Sequence, residues 1–122
     1  MPSARFVAPN APDICEENQL GRQWFSLTSQ DPKKLAAGAH LAESTLNTFI
    51  DHELASLSIA DSQLALVGFS QGTMMALYVA LRRENTCAAV VGYSGVLIGT
   101  NDLRKTIRSR PPVLLVHGDA DP

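Results

Sequence analysis

Gly68, Ser70 and Gly72 stand in the order Gly-x-Ser-x-Gly within LALVGFSQGT, Leu64 to Thr73. A serine hydroxyl held at the tip of a sharp strand-to-helix turn can attack a carbonyl carbon, given a base for its proton and a donor for the oxyanion. Glycine and serine are common, so the triplet alone is weak. Its context strengthens it, because an apolar strand ends at the first glycine and a helix begins at the second. Both glycines are read as steric requirements: side chains at Gly68 and Gly72 would collide with the neighbouring strand and helix. The helix beginning near Gln71 turns free N–H groups toward the serine, and the Gln71 N–H is the expected oxyanion donor. The blander alternative is a Gly-rich turn with Ser70 as an N-cap. A phosphate-binding loop is a poorer match, since the Lys of GxxxxGK[ST] is absent and the glycines do not form GxGxxG.

A serine nucleophile needs a base, and the base needs an orienting carboxylate. The segment PPVLLVHGDADP, Pro111 to Pro122, reads as a strand that delivers His117, Gly118, Asp119 and Asp121 to its carboxyl end. In an open α/β sheet that edge receives ligands. With the order Ser, Asp/Glu, His, Asp121 is the expected acid and Asp119 the second choice. The three histidines have ordinary explanations. His40 and His52 fall in a helical stretch upstream of Ser70, and His117, followed by Gly118, is expected to support a turn. No histidine follows Asp121. The base is therefore expected to be missing from this chain, which alone would be nearly inactive.

The elements that position these residues alternate. Arg5 to Ala8 reads as a strand stopped by Pro9 to Asp13, followed by a loop to about Gln30 that carries GRQWFSL, Gly21 to Leu27. Loops of this length in compact domains are usually functional. Trp24 and Phe25 either pin this loop to the body or line a substrate groove. Asp31-Pro32 is a helix start, and Leu35, Ala39, Ala42, Leu46, Phe49, Ile50 and Leu54 recur at helical spacing. A buried strand at Gln63 to Val67, a helix through Met74 to Leu81 closed by Arg82 and Arg83, a strand at Ala88 to Tyr93, a short helix near Asn101 to Ser109 and a strand at Val113 to His117 follow. The pattern predicts a single α/β domain over 1–122, a mostly parallel sheet with helices on both faces.

Composition narrows the function classes. Hydrophobic content of 45% with 18% charged residues is that of a folded globular chain. A net charge of −2, with no basic stripe longer than Arg82-Arg83 or Lys33-Lys34, makes nucleic acid an unexpected partner. Cys87 to Gly99, the longest apolar stretch, is interrupted by Gly and Ser and too short for a membrane span. No signal-like run opens the chain. Cys15 and Cys87 are far apart with no zinc-type spacing, so a reduced cytoplasmic chain with no metal and no cofactor is expected.

FVAPNAPD (Phe6 to Asp13), GRQWFSL, LVGFSQG (Leu66 to Gly72), YSG (Tyr93 to Gly95) and VHGDADP (Val116 to Pro122), in that order, resemble the phospholipase/carboxylesterase family, which includes acyl-protein thioesterases and small bacterial carboxylesterases. Thr73 stands where many members have a further Gly. The resemblance implies a partial α/β-hydrolase fold with Ser70 as nucleophile, Asp121 as acid and the Gln71 amide as one oxyanion donor. It implies a metal-independent hydrolysis of carboxylic esters or thioesters, including lysophospholipid-like ones, with a small ester or acyl chain lying near Trp24, Phe25 and Leu97. By the same resemblance the N-terminal strands, with the loop that gives the second oxyanion donor, and the C-terminal His segment are expected to be absent. The gap this leaves between Arg5–Ala8 and the elbow strand is expected to favour self-association. The alternative to an enzyme is a non-catalytic remnant that folds or acts only with a partner chain or another copy.

Overall fold

Asp31 begins the longest element. Its carboxylate accepts the Lys33 N–H at 2.9 Å, and Pro32 takes the first helical position, so α1 runs over Pro32–Leu57. The helix stops where Ser58 turns left-handed (φ 52°, ψ 44°), which lets the Ser58 and Ile59 N–H groups reach the carbonyls of Ala55 and Leu54. Its buried stripe is Leu35, Ala39, Ala42, Leu46, Ile50 and Leu54. These residues pack with Met75, Tyr78 and Val79 of α2, Gln71–Arg82, which is the main core of the molecule.

The structure is a computed structural model that describes residues 3–121. Its principal sheet has three parallel strands, β3 (Ala65–Phe69), β4 (Ala89–Tyr93) and β5 (Val113–Val116), in the order β3-β4-β5. The register sets Gly68 beside Gly92 and Phe69 beside Tyr93, with Tyr93 beside Val116. A smaller antiparallel bridge joins β1 (Asp13–Ile14) to β2 (Arg22–Gln23) inside the long N-terminal loop. The short helix α3 covers Leu103–Thr106. Among the described residues no helix is long and apolar enough to cross a membrane.

Two expectations change here. Arg5 to Ala8 is not a strand; the segment is exposed, and no described strand runs beside it. A strand is completed by the hydrogen bonds of a neighbour, which an apolar run alone does not supply. Nor, among the described residues, do helices cover both faces: they pack on one face of β3 and β4, and β5 is exposed on both. Three parallel strands that advance in one direction through right-handed crossovers carry their connections on one side. The chain after α3 accordingly returns to α2, where the Arg108 N–H donates to the Leu81 carbonyl at 2.8 Å and the Ser109 hydroxyl to the Ala80 carbonyl at 2.6 Å. The opposite face is bare and apolar, with Val67 69% and Phe69 72% exposed and Tyr93, Leu114 and Val116 beside them.

Arg83 ties the two helices together. Its Nε donates to Asp61 at 2.7 Å, while its terminal nitrogens donate to Asn47 and Asp51 at 2.8 Å each. Burial pulls the Arg83 pKa down, but hydrogen bonds and charge from the two aspartates outweigh it and hold the guanidinium above its ordinary value. Arg82, at the end of the same helix, lies 3.7 Å from the centre of the Tyr78 ring and donates to the carbonyls of Tyr78 and Gly99.

The Arg83 and Asp61 side chains are each only 11% exposed, so removing one partner strands the other. Arg83→Met should destabilise the chain by about 3–5 kcal/mol in urea unfolding. Asp51, 64% exposed, is the control: Asp51→Ala should cost less than about 1 kcal/mol. Equal losses in the two variants would contradict this division.

Candidate active site

β3 ends at Phe69 and α2 starts at Gln71, so Ser70 alone makes the turn between them. It does so at φ 51° and ψ −116°, a backbone region that residues with a side chain avoid. The strain is held by hydrogen bonds. The Ser70 N–H donates to the Tyr93 carbonyl at 2.8 Å, and the Thr73 hydroxyl donates to that same carbonyl at 2.8 Å. The Ser70 carbonyl in turn accepts the N–H groups of Thr73 and Met74 at 3.0 and 3.2 Å, which opens the helix. No acceptor for the Gln71 N–H is found among the described residues. This donor therefore stands free at the positive end of α2 beside the Ser70 side chain.

The helix must come very close to the sheet to make these contacts. A Cβ on Gly68 would lie 2.4 Å from backbone atoms of Gly72 and Thr73, so no side chain fits. For Gly72 the steric expectation is wrong: a Cβ there meets nothing within 4 Å, because the position faces open space. The crowded partners are instead Gly92 and Gly95, where a Cβ would lie 2.4 and 2.5 Å from the Thr73 side chain. Thr73 itself is wholly buried. A hydroxyl in the first turn of the helix, facing Gly92 of the next strand and Gly95 just beyond it, is a signal that the family pattern, with Gly at this position, does not show.

A cleft of about 440 Å³ opens beside the turn, lined by Ser70, Gln71, Gly72, Trp24, Leu27 and Arg22 among others. Trp24 is placed there by Gln71, whose side-chain Oε1 accepts the Trp24 N–H at 2.8 Å while its Nε2 donates to the Phe25 carbonyl at 2.8 Å. The other two expected groove residues do not join it. Phe25 is only 4% exposed and packs in the core against Gly38, so it pins the loop instead of lining the cleft. Leu97 lines a separate cavity of about 980 Å³ with Tyr78, Arg82 and His40, and neither Ser70 nor Trp24 borders that space.

Asp121 follows β5 at the same carboxyl edge of the sheet as Ser70, with β4 between their strands. The turn at Asp121 is held by its own N–H donating to the Gly118 carbonyl at 3.1 Å. His117, expected to support that turn, faces the proposed acid across it, with Nε2 3.8 Å from Asp121 Oδ2. Asp119 makes no ion pair among the described residues. Nor do the described residues bring together three His, Cys, Asp or Glu side chains that could hold a metal ion.

Strand, strained serine, helix N-terminus and an acid two strands away are the arrangement of an α/β-hydrolase. The sequence profile of the phospholipase/carboxylesterase family matches residues 1–122, and the chain belongs to that family. It is 29% identical to acyl-protein thioesterase 1 homolog 1 of Dictyostelium discoideum over 96% of this chain and 55% of that protein. To acyl-protein thioesterase 1 of Schizosaccharomyces pombe it is 30% identical, over 97% and 56% respectively. Among solved structures, the crystal structure of esterase PE8 superimposes with a TM-score of 0.89 at 40% identity, covering 96% of this chain and 57% of that one. Arabidopsis thaliana SOBER1 shares the fold, with a TM-score of 0.72 at 23% identity, over 93% of this chain and 57% of that one. The chain thus spans a little over half the length of the relatives it matches.

The two glycines of the turn should respond in opposite ways. Gly68→Ala should destabilise the chain by about 3 kcal/mol, because the added methyl meets backbone that cannot give. Gly72→Ala should be neutral or stabilise by up to about 1 kcal/mol, since the methyl enters open space on a helix. Paired thermal melts of the two variants check this ordering, and a Gly72→Ala loss as large as that of Gly68→Ala would refute it.

Proposed function

We propose that this chain carries the nucleophilic half of a serine hydrolase acting on carboxylic esters or thioesters through an acyl-enzyme. The observation that carries the reading is Ser70, held in a strained backbone at the rim of a cleft beside an unpaired helix N–H. Ser70 Oγ adds to the substrate carbonyl carbon and gives its proton to a base, while the Gln71 N–H stabilises the oxyanion. The tetrahedral centre collapses, the carbon–oxygen or carbon–sulfur bond to the leaving group breaks, and that group departs with the proton. Water then attacks the acyl-Ser70 ester by the same path in reverse. Asp121 is the carboxylate that would orient the base. We assign the base to none of His40, His52 and His117, so turnover by this chain alone should be residual. The substrate is a small ester or an acyl chain that enters beside Trp24. The proposed setting is the cytoplasm, supported by Cys15 and Cys87 as free thiols.

One observation favours a second reading. The bare apolar face of the sheet suits a non-catalytic piece that meets a partner chain or another copy of itself.

Exposure of the chain to p-nitrophenyl butyrate tests between them. Without an efficient base, deacylation is the slower step, so one butyryl group should accumulate on the Ser70 peptide, read by mass spectrometry. Ser70→Ala should take up none. Butyryl groups scattered over other side chains, or equal labelling of Ser70→Ala, would remove the hydrolase reading and leave the second.

A further inference from the structure

We propose that Gln71 is a positioning residue whose side-chain amide fixes the aromatic wall of the cleft to the nucleophile turn. The proposal rests on the reading that Ser70 is the nucleophile, and it adds a second task for the residue that follows it. The backbone of Gln71 belongs to the first turn of α2, but its side chain reaches the loop 46 and 47 residues earlier in the chain. There it accepts the Trp24 N–H and donates to the Phe25 carbonyl, both at 2.8 Å.

These two backbone groups demand a donor and an acceptor from one side-chain end. An amide supplies both. A carboxylate at neutral pH only accepts, a lysine or arginine only donates, and an asparagine is one methylene shorter. Both contacts are partly buried, so losing the partner leaves a backbone N–H and a carbonyl poorly satisfied. On its far side the loop is held by the Phe25 ring, packed against Gly38 in the core. The Trp24–Phe25 pair is therefore fixed by a polar anchor at the Gln71 amide, next in the chain to Ser70, and by a hydrophobic one at the Phe25 ring.

The functional consequence is preorganisation. An acyl group arriving at Ser70 meets a wall that is already formed, and binding does not have to order the loop. The same linkage explains why a long segment with little secondary structure of its own keeps a defined cleft.

Trp24 is the sole tryptophan of the chain and reports on the clamp without any turnover. In Gln71→Ala, acrylamide quenching of Trp24 should rise by about twofold or more and its emission should shift to the red, with the far-ultraviolet circular dichroism unchanged. Gln71→Glu supplies the second arm. At neutral pH it should behave like Gln71→Ala, because the carboxylate cannot donate to Phe25. As the pH falls through the titration of the new carboxyl, the protonated acid regains the donor, and quenching should return toward the unsubstituted level while the unsubstituted chain stays flat. Unchanged quenching in Gln71→Ala, or a pH-independent Gln71→Glu, would overturn the proposal. If Gln71→Ala does not fold, the pH response of Gln71→Glu decides alone. Failure here leaves Ser70 butyrylation standing, and failure of butyrylation leaves the fluorescence result standing.

Discussion

The carbonyl of Tyr93 holds the site together. By accepting both the Ser70 N–H and the Thr73 hydroxyl at 2.8 Å, it binds the end of one strand and the start of one helix to the end of the neighbouring strand. That double contact offsets the unfavourable backbone of Ser70. It also explains the glycines: Gly68, Gly92 and Gly95 are the places where α2 presses so near the sheet that a methyl group would meet Thr73 or its backbone. Loosening any of these contacts would let Ser70 relax into an ordinary conformation and move its hydroxyl away from the Gln71 N–H.

From this centre the order spreads along two lines. One runs through Gln71 to Trp24 and Phe25, so that the N-terminal loop is attached to the turn it serves. The other runs down α2 to its far end, where Arg83 gathers Asp61, Asn47 and Asp51 and locks α1 in place. The sheet side is different in kind. Three strands are enough to carry the Ser70 turn and Asp121, yet among the described residues one of their faces is left apolar and uncovered.

Helix α1 was legible from the sequence because its cap and its apolar period are local, and Asp31, Pro32 and the stripe from Leu35 to Leu54 were all found where expected. The elbow was legible because two glycines, a serine and the change from strand to helix fall within five residues. What failed depends on partners distant in sequence. A continuous apolar run says that a strand is fit to be covered, and it does not say on which side a crossover will place the helix. Phe6 and its neighbours have the composition of a strand and lack the neighbour that makes one. The two-residue bridge of Asp13–Ile14 with Arg22–Gln23 is too short to leave a period at all. Phe25 and Leu97 were expected beside Trp24, but Phe25 points into the core and Leu97 borders the other cavity. Gly72 shows the limit of motif reasoning, since its place in the pattern gave it a steric role that the space around it does not require.

The central claim is that two adjacent amides have opposite fates: the Ser70 N–H is locked to Tyr93, and the Gln71 N–H is left free for an oxyanion. Residue-resolved amide hydrogen exchange measures both in one experiment. The Ser70 amide should exchange as slowly as the central amides of β4, and the Gln71 amide should exchange near the rate of an unprotected helix N-terminus. A rapidly exchanging Ser70 amide, or a Gln71 amide as protected as its neighbour, would contradict this account of the turn.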